Sequence, residues 1–225
     1  MNNFSIREKE IFEALKELTN IEFVVIGGYA VNTYTLPRFS VDCDLVVKTK
    51  KAAEQAESTL KKRQYTAVAN NASGNYSKFE RLEHEIEPNF SASFDILIDE
   101  VLDRRTNASF SAEWIFNNSS VKSLKGKTFP ETITTRIIDL DALVVLKLVA
   151  CRKTDVRDVF MLLPLVKNME FVKREVEKRT NLEKALKRAA VTILSSDFKK
   201  NLEGVYGFVD NKTYIKHVEA FRKLL

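Results

Sequence analysis

The hydrophobic repeat of this chain changes near Asp139, and that change restricts the fold more than any other feature. Before it, apolar residues come in short, β-branched runs separated by Gly, Asn and Ser; after it they recur every three or four residues. Strand-like runs followed by helix-like ones imply an α/β (α+β) half and then a helical half. The expected domains are 1–138, α/β or α+β, and 139–225, helical. Charge shifts at nearly the same place. Residues 147–225 hold 18 Lys/Arg against 10 Asp/Glu, a net +8, and residues 1–146 hold 18 against 21, a net −3. A basic half suggests an anionic partner such as RNA, although the run at 173–188 reads equally well as a solvated helix face.

Residues 5–18 read as an amphipathic helix with Ile6, Ile11, Phe12, Leu15 and Leu18 on one stripe, Ser5 as cap and Glu8 completing a capping box. Residues 22–26 are a buried strand ending in a Gly27-Gly28 turn, followed by a short helix at 29–36 that stops at Pro37. A second strand at 43–47 and a polar helix at 51–63 come next. Further strands are expected at 64–69, 77–83 and 93–98, with an Asn- and Ser-rich turn at 70–75. Residues 104–119 look irregular, and 120–138 suggest two short strands around Lys125-Gly126-Lys127. The later helices are expected at 140–152, 155–166, 169–178, 181–195 and 211–224.

Several classes are excluded. An apolar content of 44% is too high for a disordered chain, and no apolar run approaches the roughly 20 residues of a membrane span. The first dozen residues are charged and lack the apolar core of a secretory signal, so a cytoplasmic setting is expected. Cys43 and Cys151 make no disulfide scaffold, and Cys151, read as a helix-interior residue without a nearby His, is no thiol nucleophile. His84 and His217, expected at the surface, have no partner at zinc-ligand spacing.

The chemistry concentrates in residues 27–44. On a strand Asp42 and Asp44 share a face and Cys43 takes the other. Adjacent carboxylates repel unless a cation relieves them, and Mg²⁺ favours one or two carboxylates plus substrate phosphates. Asp95, on a later strand opposite in direction to Phe94 and Ile96, supplies a third acid. Three acids on one face suit two metal ions. Gly27 and Gly28 let backbone N–H groups approach a phosphate. Lys147 sits on the apolar stripe of its helix, where it either contacts phosphate or pairs with Asp158. Asp155 reads as a first-turn acid with Thr154 as cap.

The combination of hydrophobic strand, Gly27-Gly28, Asp42-Cys43-Asp44 and a later acid resembles the nucleotidyltransferase superfamily of the DNA polymerase beta type. Arg38-Phe-Ser-Val-Asp-Cys-Asp44 and Lys147…Arg152…Asp155-x-x-Asp158 are similar to motifs of the AbiEii/AbiGii-type toxin nucleotidyltransferases. The resemblance covers about residues 22–47, 93–98 and 139–162. It implies a mixed β-sheet with flanking helices followed by a C-terminal helical bundle, and an Mg²⁺-dependent transfer of NMP from an NTP to a hydroxyl acceptor. Asp42, Asp44 and Asp95 would be metal ligands, with Asp95 also a general base. Gly27, Gly28, Arg38, Ser40, Lys147 and Asp158 would surround the nucleotide. Cys43 stands where Ile is frequent, and Gly28 where Ser is frequent. The implied acceptor is a tRNA or other RNA end or a protein, with an aminoglycoside-type small molecule as a further class and a cognate antitoxin as partner. A catalytically silent nucleotide- or protein-binding module is the rival reading.

Overall fold

The computed structural model describes residues 3–68 and 78–224, so the turn expected at 70–75 lies outside the described residues. The chain divides into two compact units. One comprises Met1–Thr33, Pro37–Val101 and Phe110–Ile138; the other comprises Tyr34–Leu36, Leu102–Ser109 and Asp139–Leu225. The second therefore takes in two short segments that precede residue 139.

Among the described residues, the first unit is built on a seven-stranded mixed sheet. Its strands are β1 (Val24–Val25), β2 (Asp42–Val47), β3 (Thr66–Ala67), β4 (Phe79–Glu87), β5 (Phe90–Ile98), β8 (Ser119–Lys125) and β9 (Thr132–Ile138). They lie in the order β3-β4-β5-β2-β1-β9-β8, with β2 parallel to β5, β1 parallel to β9, and the other pairs antiparallel. The α/β class expected from the repeat and the mixed sheet implied by the resemblance are both observed. Val24, Val25, Leu45, Val46, Val47, Phe94 and Ile96 are buried, which explains why the central strands are β-branched runs. Helix α1 (Asn3–Glu17) buries Ile11, Phe12 and Leu15, α2 (Gly27–Asn32) follows β1, and α3 (Lys50–Lys62) starts on a Thr49 cap that accepts from the Ala52 N–H.

Local reasoning failed at α1. The helix begins ahead of Ser5, so Ser5 and Glu8 lie within it and form no capping box. Glu8 is 2% exposed. Its carboxylate accepts backbone N–H bonds from Lys127 (2.6 Å), Thr128 (2.6 Å) and Phe129 (2.9 Å), and the Thr128 hydroxyl at 2.8 Å. Four donors presented by the β8–β9 turn outbid one donor in its own helix. The Lys125-Gly126-Lys127 turn is thus a cradle for a carboxylate 120 residues away in sequence from Thr128.

Residues 104–119 are more regular than expected. They contain β7 (Ala108–Ser111), which forms a separate two-stranded ladder with β6 (Glu100–Asp103), and α4 (Ala112–Asn117), capped by Ser111. In the second unit the helices are α5 (Leu140–Ala150), α6 (Lys153–Leu162), a 3₁₀ turn (Leu163–Leu165), α7 (Met169–Glu177), α8 (Leu182–Ile193), α9 (Phe198–Tyr206) and α10 (Asn211–Arg222). The sequence pattern missed α9, whose Gly204 interrupts it. Three local expectations are corrected here. Cys151 is not interior to a helix but ends α5 in the left-handed conformation (φ 44°). Thr154 lies inside α6 and not at its cap, because the helix already starts at Lys153. His217 is buried, with Nδ1 2.8 Å from the Phe160 carbonyl and its ring beside that of Phe160.

Candidate active site

Pairing across three adjacent strands brings the acids together. Asp44 on β2 stands opposite Asp95 on β5, which stands opposite Arg81 on β4; in the next rung Asp42, Ser93 and Glu83 align. Cys43, between the two aspartates, is fully buried on the other face. The period of two therefore sorts this strand into one carboxylate face and one core face.

Arg81 brings positive charge to this face. Arg81 Nη1 lies 3.3 Å from Asp95 Oδ1 and 4.0 Å from Asp42 Oδ2. Its Nη2 donates to Ser93 Oγ at 3.2 Å and its Nε to Glu83 Oε1 at 2.8 Å. Asp95 Oδ1 is buried and makes no hydrogen bond among the described residues. Burial, opposed in part by Arg81, pushes the Asp95 carboxyl up to about 6.

A polar cradle adjoins Asp44. Gly27 has φ +65°, and a Cβ there would meet Asp44 Oδ2 at 1.8 Å. At Gly28 a Cβ would fall 2.2 Å from Ser40 Oγ and 3.2 Å from Arg38 Nη1. Both positions need glycine: the first for its backbone and the approach of a carboxylate, the second for the approach of Ser40. The two glycines form the first turn of α2, so the expected helix at 29–36 starts and stops earlier, at Gly27 and Asn32. Buried Asn32 then ties the loop back. Its Nδ2 donates to the Arg38 carbonyl at 2.9 Å and its Oδ1 accepts from the Arg38 N–H at 3.0 Å.

Lys147 and Asp158 belong to a second cluster, in the helical unit. Lys147 Nζ is 2.9 Å from Asp155 Oδ1 and 3.0 Å from Asp158 Oδ2. The Tyr206 hydroxyl donates to Asp158 Oδ1 at 2.6 Å, and the Arg152 N–H donates to Asp155 Oδ2 at 3.1 Å. Of the two roles open to Lys147 in the sequence, ion pairing with Asp158 is the one its surroundings display. Asp155 is a partner of the same lysine as well as a first-turn acid.

Sequence reasoning missed Arg81, Ser93 and Asn32. The first had a faint signal, since Arg81 and Glu83 alternate on an expected strand. Asn32 had none, because its partner is the Arg38 backbone six residues on, met only where the loop turns back.

The donor set suits a hard divalent cation. It consists of carboxylate oxygens, one of them buried without a hydrogen bond, and Mg²⁺ takes one or two carboxylates together with phosphate oxygens. A complete three-acid cage is not preformed: among the described residues no three His, Cys, Asp or Glu side chains gather into a metal-holding group.

The sequence matches no protein-family profile and no curated protein. Solved structures do resemble it. JHP933 from Helicobacter pylori superposes with a TM-score of 0.58 at 15% identity, covering 100% of this chain and 92% of that one. A candidate nucleotidyltransferase from H. pylori gives 0.55 at 15% identity over 100% and 95%. MenT4, a nucleotidyltransferase toxin from Mycobacterium tuberculosis H37Rv, gives 0.60 at 13% identity over 99% and 84%. The chain has a nucleotidyltransferase fold. Within that fold, the Gly27-Gly28 turn, the Asp42/Asp44 pair and Asp95 occupy the first unit, while Lys147 and Asp158 belong to the second. No helix among the described residues is long and apolar enough to cross a membrane.

Proposed function

We propose that this chain transfers a nucleoside monophosphate from an NTP to a hydroxyl acceptor and releases pyrophosphate. The observation that carries the reading is the rung Asp44–Asp95 with Asp42 beside it, next to a glycine cradle that also gathers Ser40 and Arg38. Three acids gathered on one face of adjacent strands, beside donors suited to phosphate oxygens, are poorly explained as a structural device.

In this reading Asp42, Asp44 and Asp95 hold Mg²⁺, with two ions the expected number. Bound magnesium supplies positive charge against the triphosphate oxygens. Gly27 and Gly28 admit the triphosphate close to the backbone, and Ser40 and Arg38 donate to its oxygens. Asp95 is the group proposed to take the proton of the acceptor hydroxyl. The acceptor oxygen bonds to the α-phosphorus as the bond from that phosphorus to pyrophosphate breaks. Lys147 and Asp158, expected at the nucleotide, are paired with each other and with Asp155 in the second unit, which favours a structural role; the nucleotide affinity of Lys147→Met decides between the two. The proposed division of labour follows the expected domains, 1–138 for chemistry and 139–225 for the acceptor.

An RNA end is the favoured acceptor because residues 147–225 carry +8. Part of that charge is already engaged: Arg174, Lys178 and Arg179 converge on Glu175. Lys184, Lys187 and Arg188 line an open groove of about 380 Å³ on α8, with Lys187 paired to Glu183. Since MenT4 is a toxin, the corresponding property here is growth arrest on expression, relieved by a cognate antitoxin in a cytoplasmic setting.

The test uses the full chain with labelled NTPs, Mg²⁺ and total RNA. Label is expected on RNA, lost with Asp42→Asn. Label on protein would move the acceptor to a polypeptide. Nucleotide binding with no transfer to RNA, protein or aminoglycosides would replace this reading with the silent binding module.

A further inference from the structure

Arg81 stands where the proposed site needs an explanation. A like-charged pair such as Asp44 and Asp95, directly opposed on neighbouring strands, is unfavourable. The next strand sets a guanidinium in line with that pair. It reaches both Asp95 and Asp42, while its other nitrogens bond to Ser93 and Glu83. A fixed planar fork of this kind neutralises carboxylates without needing any bound ion.

We propose that Arg81 is the built-in counter-cation of the acidic cluster, competing with divalent cations for Asp42 and Asp95 and yielding when ion and triphosphate arrive together; the inference rests on the nucleotidyltransferase reading. An ion bound by the same carboxylates would be repelled by the guanidinium, so the resting protein binds free divalent cations weakly. Glu83 offers Arg81 an alternative carboxylate on its own strand, already bonded to Nε at 2.8 Å. The triphosphate brings negative charge that offsets the incoming ion, which ties metal entry to substrate entry. Without substrate, the acids stay neutralised from within.

Mn²⁺ alone, titrated by calorimetry and followed by its electron paramagnetic resonance signal, provides a readout that needs no turnover. Arg81→Met is expected to tighten Mn²⁺ binding by roughly tenfold, as expected for removing a unit charge close to the ion even at a surface-like dielectric. Arg81→Lys should stay near the wild type. Glu83→Gln, which removes the alternative resting place, should weaken Mn²⁺ binding several-fold and keeps the test open should Arg81→Met not fold. Asp42→Asn separates the two readings. Unchanged Mn²⁺ binding in Asp42→Asn would overturn the metal-site assignment itself. Loss of binding in Asp42→Asn together with unchanged or weaker binding in Arg81→Met, or unchanged binding in Glu83→Gln where Arg81→Met does not fold, would overturn the role of Arg81 alone.

Discussion

Two charged clusters of this molecule solve the same electrostatic problem differently. In the helical unit, Lys147 is held by two carboxylates, and each of these accepts a further hydrogen bond, from Tyr206 or from the Arg152 backbone. The side chains are 12%, 6% and 1% exposed for Lys147, Asp155 and Asp158. On the sheet, Asp42 and Asp95 share one guanidinium with Glu83, and Asp95 retains a buried oxygen without a hydrogen bond among the described residues. The first cluster is closed and structural in character. The second is open: a single guanidinium is divided among Asp42, Asp95 and Glu83, and it is the group that an incoming cation has to displace.

The largest expected effect tests closure. Lys147→Met leaves Asp155 and Asp158 facing each other without their cation, and should cost about 3–5 kcal/mol in urea denaturation. A loss no greater than that of a surface change, about 0.5 kcal/mol, would show that the cluster is not closed. Nucleotide affinity measured on the same variant tells whether Lys147 also serves the triphosphate.

Next comes Glu8, a second closed acid. Glu8→Ala strands three backbone N–H groups of the β8–β9 turn, and buried donors without partners cost about 1–3 kcal/mol each. A loss of at least about 2 kcal/mol is expected, allowing for water reaching some of them. A neutral substitution would mean that water satisfies them all.

The open cluster should respond with the opposite sign. Asp95→Asn removes a carboxylate whose charge is disfavoured by burial, so metal-free protein at pH 7.5 should gain about 1 kcal/mol. A loss of similar size would show that the Asp95–Arg81 pair is net stabilising, and the contrast drawn between the clusters would fail.

The smallest effect is a matter of pH. Burial works against the charge on Glu175, yet hydrogen bonds from Lys178 and Arg179 bring its carboxyl down to about 2. A depressed acid stabilises above its ordinary range near 4.5 and loses that contribution as the pH falls through 2. Wild type should therefore exceed Glu175→Gln in stability at pH 6 by less than about 1 kcal/mol, since Lys178 and Arg174 face solvent. The gap should close on acidification. A gap independent of pH between 2 and 6 would remove the ion-pair explanation.

The readability of this chain tracks how local each interaction is. The strands around Val24–Val25 and Asp42–Val47 were legible because β-branched runs and the alternation of Asp42, Cys43 and Asp44 are one-strand properties. The helices from Leu140 onward were legible by their period, apart from α9 with its internal glycine. Glu8 was misread because its donors lie in a distant turn, and His217 because the Phe160 carbonyl that holds it is 57 residues away.

What the sequence by itself determined is which residue types share a strand face or a helix stripe: the aspartates outward, Cys43 inward, Lys147 on an apolar stripe. Periods of 2.0 and 3.6 are backbone geometry and need no partner. Only the tertiary structure decided which faces meet. Strand order set Arg81 against Asp95, the bend after Asn32 brought Ser40 and Arg38 to Gly28, and α9 delivered Tyr206 to Asp158. Those juxtapositions depend on register and topology, which many distant contacts settle together and no short stretch of residues encodes.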